Sequence, residues 1–250
     1  MRGSSRRGLR RRLRRNLRHA LLLGMGLLWA LWAASSAAQT PAQTPAQTPA
    51  QTTLDVEESE RLVRTQWFEG LPEDEAARIG PEGAARLMEM LADPVERAHH
   101  ANILVALGLC AQPGVLEAIA AWADRPRVGE LDRDGFRAWQ ALPYALGHLA
   151  PHDPRALERL ESRLLTDPAP TWHFRHHRGA RLPRQSRRAA ASALALTGLP
   201  AARRALDRAG RNVSDADLEA HLESMRALHA QRALARELER GQELQQEPER

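Results

Sequence analysis

Between Thr171 and Arg188 the chain reads TWHFRHHRGARLPRQSRR, which gathers three histidines, two aromatic residues and six arginines with no carboxylate among them. Two chemistries fit these side chains. In the first, His173, His176 and His177 would lie on nearly one side of a helical turn and offer imidazole nitrogens to a metal. Against it, six arginines repel a cation, no carboxylate follows nearby, and the glutamate that a helical metal-hydrolase signature places between its histidines is missing. The second is anion binding by Arg175, Arg178, Arg181, Arg184, Arg187 and Arg188, with Trp172 and Phe174 as stacking or anchoring faces. Guanidinium forks match carboxylate and phosphate geometry and stack on rings, so the ligand would be an acidic protein partner, an anionic glycan or lipid headgroups. A third reading needs no ligand: a solvated loop pairs its arginines with acids of neighbouring elements while Trp172 covers a gap in the core. The binding candidates are therefore Trp172, His173, Phe174, Arg175, His176, His177, Arg178, Arg181 and Arg184.

The remaining reactive residues point to structure. Cys110 is the only cysteine, which excludes an internal disulfide and a cysteine-rich zinc site, and it falls on the apolar stripe of a helix, where a buried, inert thiol is expected. His99 and His100 fall in the first turns of a helix, as surface or groove residues, and His148 and His152 flank a turn, where exposure is expected. Trp67, Trp122 and Trp139 stand at helical spacing as packing residues. No catalytic constellation emerges, so the expectation is a non-enzymatic protein without cofactor or metal.

The elements that would position the loop become clear once the ends are set aside. Residues 1–38 hold nine arginines, then an apolar run from Ala20 to Ala34, then small residues with Ser36 and Ala38 where a signal peptidase requires them. This reads as a bacterial-type export signal cleaved after Ala38. The Arg6-Arg7 pair also fits the twin-arginine route, and residues 20–38 are long enough to span a bilayer as an uncleaved membrane tether facing the periplasm. Removing the nine leader arginines from the formal net charge of +5 leaves −4, so the basic pI belongs to the leader and gives no argument for nucleic-acid binding. Residues 39–53 repeat Gln-Thr-Pro-Ala without charge or large apolar groups, the composition of an extended spacer. Residues 241–250 read as a disordered tail.

From residue 54 to 210 the signals are helical throughout, with alanine and leucine dominant and no alternating run for a strand, which gives an all-α fold. Asp93-Pro94-Val95-Glu96 has a capping-box pattern, and Pro113, Pro154, Pro200 and Ser214 with Asp217 mark further helix starts. Three segments align. Their first helices carry apolar stripes at Ile103, Ala106, Leu107 and Cys110, at Leu142, Ala145, Leu146 and Leu149, and at Ala190, Ala193, Leu194 and Thr197. Each turns near a proline into a second helix bearing Leu116 and Ile119, Leu157, Leu160 and Leu164, or Ala205 and Leu206. An upstream helix offers Ala84, Leu87, Met88 and Leu91, and residues 211–240 read as a longer C-terminal helix that caps the series. A single hairpin of this size cannot bury its stripe alone, whereas stacked hairpins share one core.

These units resemble HEAT-type repeats, through Ala-Leu-Gly at Ala106 to Gly108 and Ala145 to Gly147, Ala-Leu-Ala at Ala193 to Ala195, and Pro143 inside a first helix. The resemblance implies an α-solenoid of about four antiparallel helix pairs, used for binding. Its spacing departs from the pattern through an insertion at 166–185, which contains the arginine-histidine loop, and extra residues in such stacks collect on one face, commonly the binding face. The expected function is an exported scaffold, periplasmic or secreted, that holds a protein partner in the cell envelope. Two alternatives stay open: a lyase-like enzyme or modification accessory using the loop, and a binder of anionic glycan or lipid.

Overall fold

Apolar residues at helical spacing need a helical backbone to bring them onto one face, and the computed structural model, which describes residues 53–166, 170–177 and 179–246, carries ten α-helices among them. The expected leader, all but the last residue of the expected spacer, Arg178 and residues 247–250 lie outside the described residues. The first helix, α1 (Val56–Arg64), opens with a capping box in which Glu58 N donates to Asp55 Oδ1 (2.8 Å) and Asp55 N donates to Glu58 Oε2 (3.1 Å). A single turn, α2 (Glu73–Ala76), precedes α3 (Pro81–Ala92), α4 (His100–Cys110), α5 (Val115–Ala123), α6 (Arg133–Leu149), α7 (Pro154–Thr166), α8 (Arg181–Thr197), α9 (Pro200–Asn212) and α10 (Ala216–Gln246). Proline opens α3, α7 and α9, where the missing N–H costs nothing and the fixed φ suits a helix.

Several boundaries differ from the sequence reading. Asp93 Oδ1 does accept from Val95 N (2.8 Å), but the turn it caps is a 3₁₀ helix, Pro94–His99, leading into α4. The cap of α10 is Asp215, whose Oδ1 accepts from Asp217 N (3.0 Å) and Leu218 N (3.2 Å), and α10 continues through residues 241–246. Helix α8 starts at Arg181, so the last five residues assigned to the insertion are helical. The fold is also not wholly helical: β1 (Gly129–Glu130) and β2 (Trp172–His173) pair in parallel, with Gly129 opposite Trp172 and Glu130 opposite His173.

Every residue of the three stripes is buried, as are Leu116, Ile119, Leu157, Leu160, Leu164, Ala205 and Leu206 on the second helices. Ala84, Leu87 and Leu91 are buried on α3 together with Met90, while Met88 is half-buried. Each fully buried leucine or isoleucine contributes about 1.5 to 3 kcal/mol against solvent exposure, so this continuous core, not the surface ion pairs, holds the helices together. Helix α4 packs on α6, α6 on α8 and α8 on α10, while α3 packs on α5 and α7 on α9. Two glycines set the first two of these contacts. A Cβ on Gly108 would stand 2.4 Å from Ala145 O, and one on Gly147 would stand 3.3 Å from Ala193 O. The glycine of each Ala-Leu-Gly step is thus the place where one helix backbone approaches the next.

Candidate functional site

The loop between α7 and α8 is fixed by local chemistry before any ligand is considered. Thr171 Oγ1 donates to Arg127 O (2.6 Å), Leu131 N donates to His173 O (2.8 Å), and Phe174 and His177 exchange backbone hydrogen bonds of 3.2 and 2.8 Å. These bonds close a tight turn in which Arg175 takes a left-handed φ of 48°. Phe136, Trp172 and Leu182 then form a small second core, joined by Leu131, Trp139 and Phe174, that fastens the loop to α6 and α8.

The candidate residues separate accordingly. Trp172 is only 8% exposed and meets Trp139 edge-on at 4.9 Å, so it covers a gap in the core and offers no free stacking face. Phe174 stacks on Phe136 at 4.1 Å, with the Arg175 guanidinium 5.2 Å from its ring centre. His173 is half-buried, with Nε2 3.6 Å from Glu130 Oε2, the carboxylate that the strand pairing brings opposite it. His176 is exposed, and Arg178 lies outside the described residues. Among the described residues no group of three or more histidine, cysteine, aspartate or glutamate side chains is placed to hold a metal ion.

His177, Arg181 and Arg184 do come together, at the rim of a groove of about 520 Å³ between α6 and α8. Its wall on α6 is Trp139, Gln140, Pro143 and Tyr144, and its wall on α8 runs from Arg181 through Arg184 and Arg188 to Ser192. Arg181, Arg184, Arg188 and Ser192 recur at steps of three and four, which puts them on one helical face. Pro143 makes this possible from the other side: it gives no N–H to the Trp139 carbonyl, and it presents a ring to the groove. Arg184 is held by Asp215 (2.8 Å) and Asp217 (3.7 Å) at the start of α10. The side chains of Arg181 and Arg188 have no hydrogen bond or ion pair to another described residue, and both are exposed.

His221 of α10 completes the lining and resembles half of a nucleophile-base pair, because its Nε2 lies 3.3 Å from Ser192 Oγ. The same nitrogen is 3.1 Å from Arg188 O. A carbonyl only accepts, so Nε2 carries the proton and donates, and it has no lone pair to take a proton from Ser192. Burial, with the neighbouring Arg188 charge, pushes His221 below the usual histidine range, although the Arg188 carbonyl works the other way. The arrangement is that of a neutral bridging ring, not of a general base.

Sequence reasoning missed Trp139, Tyr144 and His221 as groove residues. Their signal was present in part: Trp139, Pro143 and Tyr144 share one side of a helix interrupted by proline. Nothing local connects them to His221, 77 positions beyond Tyr144 in the chain. It also gave His100 as a surface or groove residue; His100 borders a groove with Arg97 and Trp122 but is itself buried, against Trp122 and the turn before α4. No family model matches the chain, and neither a curated protein nor a solved structure matches it. Among the described residues no helix is long and apolar enough to cross a membrane.

Proposed function

We propose that the chain is an exported, non-catalytic scaffold, a short HEAT-like α-solenoid of about four helix pairs closed by α10, which binds a protein partner in the cell envelope at the groove between α6 and α8. The observation that carries this reading is a repeated register. Gly108 of α4 meets Ala145 of α6, and Gly147 of α6 meets Ala193 of α8. In the aligned segments Gly108 and Gly147 hold one place, and Ala145 and Ala193 hold another. A recurring pair of contact places is what a repeating step between stacked hairpins would give, and this supports the reading in which hairpins unable to bury their stripes alone share a core. The groove supplies the second half of the argument: exposed arginines beside an aromatic wall in which Trp139, packed on the small second core, still borders the open groove together with Tyr144. The neutral, donating His221 favours binding over chemistry.

The test is site-specific photo-crosslinking in the native host, with a benzophenone amino acid at Tyr144, which is 38% exposed in the groove, and at Val95, which is 85% exposed elsewhere. Protein adducts in the envelope fraction are expected from position 144 and not from 95. Abundant, correctly localised protein that gives no protein adduct at 144 would end the scaffold reading.

A further inference from the structure

Building on the scaffold role just proposed, we infer that the groove takes an acidic segment of the partner protein, with carboxylates on Arg181 and Arg188 and an apolar side chain between them against Trp139, Pro143 and Tyr144. Five basic side chains line the groove, His177, Arg181, Arg184, Arg188 and His221, and no carboxylate does. Two of the arginines are unpaired among the described residues, as shown above. They also sit in the first two turns of α8, whose first turn holds no acid. Arg181, in that first turn, opposes the helix dipole, so the fold gains nothing electrostatic from it, whereas a bound anion satisfies the arginine and the dipole together.

The chemistry of the ligand follows from the donors. Arginine offers only N–H groups, in a fork that fits a carboxylate, and a carboxylate only accepts. Sugar hydroxyls need acceptors as well, and charged acceptors are what this lining lacks. The site already displays one such contact: Arg184, between the two free arginines, holds Asp215 at 2.8 Å. Spacing suits a peptide. Seven helical steps separate Arg181 from Arg188, roughly 10 Å along the axis, and three residues of polyproline II chain, after which side chains return to the same face, cover about the same distance. Acidic residues three apart would reach both arginines, with the intervening side chains over Trp139 and Tyr144. A bilayer surface would meet the rim but not the recessed wall.

The experiment is fluorescence anisotropy on the full chain at low salt. The probe is a labelled peptide of paired glutamates separated by phenylalanine, and its glutamine counterpart is the control. The glutamate peptide should bind at least tenfold more tightly than the control, and added salt should weaken it. The double variant Arg181→Ala with Arg188→Ala should lose tenfold or more, with circular dichroism and the urea midpoint unchanged. Asp215→Asn should gain several-fold, because asparagine still caps α10 while the charge competing for Arg184 is gone. A charge reversal, Arg188→Glu, should turn preference toward a lysine peptide. No binding of the glutamate peptide, equal affinity in the double variant, or preference for oligogalacturonate or phosphatidylglycerol vesicles would overturn the inference. Crosslinks from position 144 that persist in the double variant would overturn it too and leave the scaffold role standing, whereas loss of every protein crosslink in the wild-type chain would remove that role itself.

Discussion

His100, Trp122 and Arg127, next to the loop after α5, and His177, Trp139 and Arg188, around the groove, are the same three residue types gathered twice. In the first cluster each of the three side chains has hydrogen-bond partners. Trp122 Nε1–H donates to His100 Nδ1 (3.1 Å), and His100 Nε2 donates to Asp93 O (3.0 Å). Arg127 donates to the carbonyls of Trp122 (2.7 Å), Ala123 (3.0 Å) and Arg125 (3.1 Å), closing the end of α5 while it lies 4.4 Å from the Trp122 ring centre. In the second, the Trp139 indole N–H and the Arg188 guanidinium have no partner among the described residues, and both border open space. Satisfied polar groups tie a fold together, and unsatisfied ones at a concave surface are available to something else. Residue type alone does not distinguish the two.

The largest expected difference is in the tryptophans. Trp122→Ala empties a buried site and orphans His100 Nδ1, so it should cost about 3 to 5 kcal/mol in urea unfolding. Trp139→Ala removes a half-buried ring that packs on Phe136 and Trp172 but carries no hydrogen bond to another described residue, and should cost less. Equal losses would mean that the groove wall is core and the contrast false. Next come the two glycines. Gly108→Ala drives a methyl group against the Ala145 carbonyl, a backbone atom that cannot swing away, and should destabilise by about 1 to 3 kcal/mol despite the better helix propensity of alanine. Gly147→Ala, 3.3 Å from the Ala193 carbonyl, makes a tight contact that a shift of a few tenths of an ångström relieves, and it gains that propensity, so its effect should stay within about 1 kcal/mol of zero. A reversed order would show that α6 and α8, which flank the groove, approach each other more rigidly than α4 and α6.

The stripes, the second-helix leucines and both Ala-Leu-Gly steps were legible because helical periodicity is local: residues three and four apart share a face whatever lies opposite. The start of α8 was hidden by its composition. Its buried face runs Leu182, Ser186, Ala190, Ala193, so a serine interrupts the apolar pattern just where arginines crowd the rest. Pro183, tolerated in a first turn, was the available marker. The groove was legible only through its α8 side. Trp139 and His221 reach it through contacts among α6, α8 and α10, and His173 meets Glu130 through a strand pair too short to leave a pattern. The burial of His100 was hidden for the same reason, since only the fold brings Trp122 to it.

Acid should weaken the satisfied cluster while leaving the free arginines charged. Burial, the leading cause in each case, holds His100, His148 and His221 below the ordinary histidine value of 6.5. The unfolded chain therefore takes up protons first as pH falls. Stability should be complete above about pH 6.5 and decline progressively below it, toward the lowered values of the folded state. Protonating His100 also sets a new N–H against that of Trp122. Urea midpoints from pH 8 to 5 check this, and His100→Asn, which removes the titration, should flatten part of the decline. A midpoint that holds steady or rises between pH 7 and 5 would contradict the burial of these rings.

The smallest expected effect separates the clusters most cleanly, because it sets one arginine against another. Arg127→Ala leaves three carbonyls at the end of α5 without their donor and should cost about 1 to 2 kcal/mol. Arg188→Ala removes an exposed side chain with no partner and should shift stability by less than about 0.5 kcal/mol, in either direction, because no hydrogen bond or ion pair to another described residue is lost with it. The pair is measured by urea unfolding at neutral pH and again in 0.5 M salt. Charge repulsion from Arg188 would be screened there, whereas the carbonyl bonds of Arg127 would not. If Arg188→Ala were as costly as Arg127→Ala, the groove arginine would be a structural tie. The free donors on which the proposed binding rests would then be reduced to Arg181 and the Trp139 indole.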